Sequence, residues 1–163
     1  MPASYYPCSV RVDSRDVFFL WFTDEADGVV LEAGNLVTFS TLQECIDFAE
    51  TRHLDLGSRE STVVAIDQAR DWIEHFETSP VDARVLLNTW NMLEDYLRSR
   101  GSSGESFPLG ENDLYEKLFF ANNLPSITPS GQKFAPDWSL EEKQRIVAAL
   151  KQPLSEFHAA LLR

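Results

Sequence analysis

Two cysteines, Cys8 and Cys45, are all that the 163-residue chain contains. They allow one bridge at most, so neither a disulfide framework nor a Cys-rich metal site is expected. The three histidines, His53, His75 and His158, stand too far apart for a helical His-x-x-x-His pair, and no metal or other cofactor is expected. There is no Gly-x-Ser-x-Gly elbow and no Gly-rich loop leading into Lys-Ser/Thr, which excludes the commonest signatures of serine hydrolases and nucleotide-binding loops. No apolar run approaches the roughly 20 residues that span a bilayer. The segment Met1 to Cys8 lacks the basic stretch and apolar core of a secretory signal, so the expected compartment is the cytoplasm. Positive charge is scarce as well. Lys and Arg number 14 against 26 acids, for a formal net charge of -12. That deficit argues against nucleic acid or an anionic membrane as partner, since both reward clustered Lys and Arg.

What is present is core-forming material. Apolar residues make up 44% of the chain and aromatics 12%, enough for a globular domain without staples. Val17-Phe18-Phe19-Leu20-Trp21-Phe22, Val29-Val30-Leu31 and Leu36-Val37-Thr38-Phe39 are bulky runs separated by turn residues, which predicts an antiparallel meander. A strand within 5–12 would be confined to an edge by Pro7, and 62–66 adds one more. Thr41 with Glu44, and Ser139 with Glu142, have capping-box spacing. Asp67 is a further candidate cap. Ser79-Pro80-Val81-Asp82 reads as a helix start with Pro at the first helical position. Leu86, Trp90, Leu93 and Leu97 make the strongest apolar stripe, and a helix follows over 113–121. A last stripe, Leu140, Val147, Leu150, Leu154, Phe157 and Leu161, contains Pro153 and so predicts a kink or a two-piece helix. Trp138 stands where it would staple that helix's first turn. The expectation is one α+β domain over 1–163. It has a small N-terminal antiparallel sheet and about five helices, with a flexible loop at 101–106 and an irregular Pro/Gly loop at 122–138.

Catalytic residues are not evident. Cys45 keeps company with Leu42, Ile46 and Ala49 and reads as a small core residue. Asp24-Glu25-x-Asp27-Gly28 lacks the ligand spacing of a calcium loop and reads as a hairpin turn. A hydrolase would have to be assembled from dispersed groups such as Asp71, Glu74 and His75, although adjacent helical residues diverge by about a hundred degrees. A third reading is a peptide-binding or structural domain using exposed aromatics among Tyr115, Phe119, Phe120 and Trp138.

The charge distribution is more informative. Residues 1–82 hold 16 acids and five bases, whereas 83–163 hold ten acids and nine bases. No Lys or Arg occurs between Arg15 and Arg52. A concentrated negative field steers a basic partner and raises its association rate. Asp24, Glu25 and Asp27 share a turn, Glu32 follows, and Glu44, Asp47 and Glu50 recur at helical spacing. These seven are the candidate partner-binding residues.

The stretch Val17–Phe39 followed by Thr41-Leu42-Gln43-Glu44-Cys45-Ile46-Asp47-Phe48-Ala49 resembles small bacterial immunity proteins of polymorphic and contact-dependent toxin systems. So do Leu86-Leu87-Asn88-Thr89-Trp90-Asn91-Met92-Leu93 and the segment from Tyr115 through Asn122-Asn123-Leu124-Pro125 to Gly131. The resemblance implies a non-catalytic cytoplasmic protein. It would bind and neutralise a cognate toxin domain by covering a basic active-site or substrate-binding surface. It assigns no individual residue.

Overall fold

The computed structural model describes residues 2–101 and 110–163. Of the loop expected at 101–106, residues 102–106 lie outside the described residues. The fold is α+β. β1 (Ser4–Val12) and β2 (Arg15–Thr23) pair antiparallel along their whole length, from Ser4 opposite Thr23 to Val12 opposite Arg15. Asp13 and Ser14 close the hairpin at φ 48° and 67°, the two left-handed residues whose twist suits a tight hairpin. β3 (Gly28–Val29) continues antiparallel on β2. β4 (Leu31–Glu32) and β5 (Asn35–Leu36) form a separate two-stranded ribbon. Phe39 adds a single bridge to Phe18. α1 (Leu42–Thr51) then carries the chain across the sheet, and β6 (Thr62–Val63) arrives beside β1 running parallel to it. The order β3-β2-β1-β6 therefore makes a mixed sheet, where the short turns of the sequence predicted an antiparallel one.

β1 lies in the middle of this sheet despite Pro7. The Tyr5 N–H donates to the Asp55 carbonyl at 2.8 Å, and the Gly57 N–H donates to the Tyr5 carbonyl at 2.8 Å. Four residues on, the Val64 N–H reaches the Ser9 carbonyl at 2.9 Å. Pro7 falls between these two attachments, where the neighbouring chain has left one pairing and not begun the next. Its missing N–H removes no ladder bond, so the edge restriction does not apply.

Side-chain alternation assigns each face its own core. Cys8, Val10, Val12, Val17 and Phe19 face a large cluster completed by α2 (Ile66–Glu74), α3 (Ala83–Ser99), α4 (Asn112–Ala121) and α5 (Leu140–Leu161). Trp90 and Phe157 are fully buried there. The Phe157 ring meets Phe19 at 5.6 Å and Tyr96 at 5.0 Å, both edge-on. Among the described helices α1 alone packs on the opposite face, with Leu20, Cys45 and Ala49 buried and Phe18, Phe39 and Phe48 partly so.

The helix ends show where local rules hold. The Thr41 hydroxyl accepts from the Glu44 N–H at 3.1 Å, but the Glu44 carboxylate reaches back to the Ser40 N–H at 3.1 Å, one residue before the cap. Ser139 and Glu142 form the full reciprocal box. α3 starts later than Ser79-Pro80 predicts. Asp82 is its cap, accepting from the Val85 N–H at 3.1 Å, while the Pro80 carbonyl is taken by the Trp72 indole N–H at 3.0 Å. Asp67 lies inside the first turn of α2, whose cap position Ala65 makes no side-chain bond. α5 runs unbroken through Pro153. Ile146 is buried and Leu140 is exposed, a shift of the stripe from the one expected. Trp138 lies under the Lys117 ammonium, 4.5 Å from its ring centroid, and is partly buried against the core. The 122–138 segment is irregular, as its prolines predict. The Asn123 side chain clasps its two ends, with its Nδ2 donating to the Phe134 carbonyl at 2.9 Å and its Oδ1 accepting from the Phe134 N–H at 2.6 Å.

Candidate functional site

The seven acids sit on distinct supports. Asp24, Glu25 and Asp27 occupy the β2–β3 turn, with Asp24 and Glu25 exposed and Asp27 half-buried. The turn is anchored to the C-terminal end of α3. The Ser99 hydroxyl accepts from the Val29 N–H at 2.9 Å, and the Arg98 guanidinium donates to the Asp27 carbonyl at 3.2 Å. Gly28 permits this approach, because a Cβ there would lie 2.6 Å from the Phe22 ring. Beneath the turn, Asp95 accepts from the Trp21 indole at 2.8 Å and from Arg98 at 2.9 Å. Burial nevertheless holds the Asp95 carboxyl above its ordinary value, against the downward pull of those two donors, and the nearby Asp27 charge adds to the rise.

Glu44, Asp47 and Glu50 are exposed on α1, on the other side of the sheet from α3. Glu50 pairs with Arg59 at 2.6 Å, and Glu32 pairs with Arg52. Arg52 in turn lies over the Phe48 ring, 4.1 Å from its centroid. The single acidic region of the sequence is therefore two groups. The carboxylates of Asp24, Glu25, Asp27, Glu44 and Asp47 have no Lys, Arg or His partner among the described residues, whereas Glu32 and Glu50 are neutralised locally. In the second half of the chain, acids are tied into the frame. Arg145 bridges Glu111 and Asp113, Lys117 holds Glu142 at 2.8 Å, and Arg98 holds Asp95. Lys117 and the Ser139 amide hold the Glu142 carboxyl below its ordinary value.

The dispersed hydrolase residues come together more closely than their spacing implies. One ligand atom from each of Asp71, Glu74 and His75 lies within 4.8 Å of the others. His75 ends α2 at φ -127°, so it leaves the helical screw and the hundred-degree divergence does not govern it. Its Nδ1 lies 3.0 Å from the Asp71 carbonyl oxygen. Two carboxylates and an imidazole in this arrangement are able to hold a cation, but all three are exposed. Asp71 lines one cavity and Glu74 another.

The thiols are poor nucleophiles. Burial pushes both Cys8 and Cys45 up to about 12, leaving little thiolate near neutrality. Of the four aromatics considered for a peptide site, Tyr115 donates its hydroxyl to the Asn91 Oδ1 at 2.8 Å and packs edge-on against Trp90. Phe119 and Trp138 also pack on the core. Phe120 is 51% exposed, joined on the surface by Leu124, Ile127 and Phe134. Sequence reading missed the Trp21–Asp95–Arg98 link, which joins residues 74 positions apart and leaves no local signal. Among the described residues no helix is long and apolar enough to cross a membrane. In comparisons with known proteins, no family model, curated protein or solved structure matched the chain.

Proposed function

We propose that this chain is a non-catalytic protein that binds a basic protein domain and occludes it. The resemblance to immunity proteins makes a cognate toxin domain, met in the cytoplasm, the partner of choice. The observation that carries the reading is the uneven use of carboxylates. Five of the seven candidate acids are left without a basic partner on the β2–β3 turn and α1, while much of the C-terminal half's negative charge is tied into ion pairs. Unpaired surface carboxylates add little to stability, but they present a field to a cationic surface and raise its encounter rate.

The test is kinetic. After affinity capture and identification of the partner, its association rate is measured against ionic strength. Wild type is compared with Asp24→Asn/Glu25→Gln/Asp27→Asn and with Glu44→Gln/Asp47→Asn. The on-rate should fall with salt, and the set that faces the partner should lower it by roughly tenfold at low salt. A salt-independent rate, unchanged in both variant sets, overturns the electrostatic reading. The convergence of Asp71, Glu74 and His75 favours a second reading, a metal-dependent hydrolase. It predicts hydrolytic activity that zinc or manganese restores after chelation and that His75→Ala abolishes.

A further inference from the structure

We propose that the groove between α2 and α5 binds a phosphate-type oxyanion. Arg70, Ile73 and Glu74 from α2, with Lys151, Leu154, Ser155 and His158 from α5, line a cavity of about 260 Å³. The spacings on both helices put each set on one face. Leu154 is buried and Ile73 half-buried, which gives the groove an apolar floor. The polar groups above it are donors for the most part: a guanidinium, an ammonium, a hydroxyl and an imidazole.

Two observations point to a missing ligand. Arg70 and Lys151 have no carboxylate within ion-pair distance among the described residues. Half of the chain's 14 cations, including Arg52, Arg59, Arg98, Lys117 and Arg145, do have one. In a chain of net charge -12, these two line the same cavity. Independently, the His158 Nε2 is enclosed and has no hydrogen-bond partner. Enclosed polar atoms are nearly always paired, and an unpaired one costs stability. An oxyanion in the groove would give both cations a counter-charge and, once the His158 ring turns its enclosed Nε2 toward the groove, would give the imidazole an acceptor.

The donor set selects the ligand class. Arg70 and Lys151 supply two positive charges, and Glu74 returns one negative charge. Asp13 acts on His158 from the β1–β2 turn. A dianion with three equivalent oxygens matches four donor groups better than a planar carboxylate does. The site lies on the helical side of the fold, away from α1. It stands or falls separately from the partner surface.

The experiment is an NMR titration of the His158 imidazole in the intact chain with inorganic phosphate, and in a parallel arm with glycerol 2-phosphate. Sodium chloride at matched ionic strength is the reference. Saturable shifts of the His158 ring are expected with the phosphates and not with chloride. Lys151→Gln, an exposed substitution, should weaken binding roughly tenfold, and Arg70→Gln at least as much. Tighter binding of the monoester identifies a phosphorylated molecule as the source, and tighter binding of the inorganic ion identifies free phosphate. Shifts that fail to saturate, that chloride reproduces, or whose midpoint is unchanged in the folded Lys151→Gln variant overturn the proposal.

Discussion

The two faces of the sheet differ in depth and in charge. One face is covered by four helices around Trp90 and Phe157, and many of its surface acids are held by arginine or lysine. The other is covered, among the described helices, by α1 over Leu20, Cys45 and Ala49, and its Glu44 and Asp47 have no basic partner among the described residues. The deep side supplies the burial that stabilises the fold. The acids without a basic partner, Glu44 and Asp47 on α1 and Asp24, Glu25 and Asp27 on the turn beside α3, are thereby free to present a field, which is the condition a steering surface needs.

The comparison is sharpened most by core truncation. Phe157→Ala should cost about 3–5 kcal/mol in chemical denaturation, because its ring is fully enclosed between Phe19 and Tyr96. Phe48→Ala, on half-buried α1, should cost only about 1–2 kcal/mol. Equal losses would break the contrast. The cysteines give a matching readout, since Cys8 faces the deep cluster and Cys45 the shallow one. With both thiols held up near 12, labelling under native conditions reads opening of the structure. Cys45 should react faster by roughly tenfold or more. Thr41→Ala removes the cap of α1 and should cost about 1 kcal/mol. Hydrogen exchange should accelerate in α1 and not in α3.

The smallest effect is a pH slope. Burial, and then the charge of Arg70, hold His158 below its ordinary value. As pH falls through about 6.5 the unfolded chain takes up this proton first, so the fold loses stability until the folded histidine also protonates. Above that window the contribution is fully present. His158→Gln should flatten the slope between pH 7 and the lower folded value, measured as denaturation midpoint against pH.

Sequence pattern located the helices because their apolar stripes and caps are local. Leu86, Trp90, Leu93 and Leu97 share a face whatever surrounds them, and Ser139 with Glu142 needs only its own turn. The start of α3 was less legible, since Ser79 and Asp82 are both good caps and the choice rests on Trp72 taking the Pro80 carbonyl. The acids of the candidate surface were legible one by one. Their division into two groups was not, because it depends on how α1 lies across the sheet and on pairings such as Glu32 with Arg52, 20 residues apart. The convergence of His75 with Glu74 depends on α2 ending at Glu74, which leaves His75 with a non-helical backbone.

Pro7 has a further consequence for how the strands find their alignment. It sits at the one gap between the Tyr5 and Ser9 attachments on the β6 side of β1. A slip of β1 by two residues would preserve which side chains face each core, so hydrophobic burial alone would not forbid it. The slip that carries Pro7 into the place of Tyr5 would set a ring nitrogen without hydrogen against the Asp55 carbonyl, which now accepts at 2.8 Å. The proline thus acts as an indexing pin, making the observed alignment the one in which the parallel side of the sheet loses nothing.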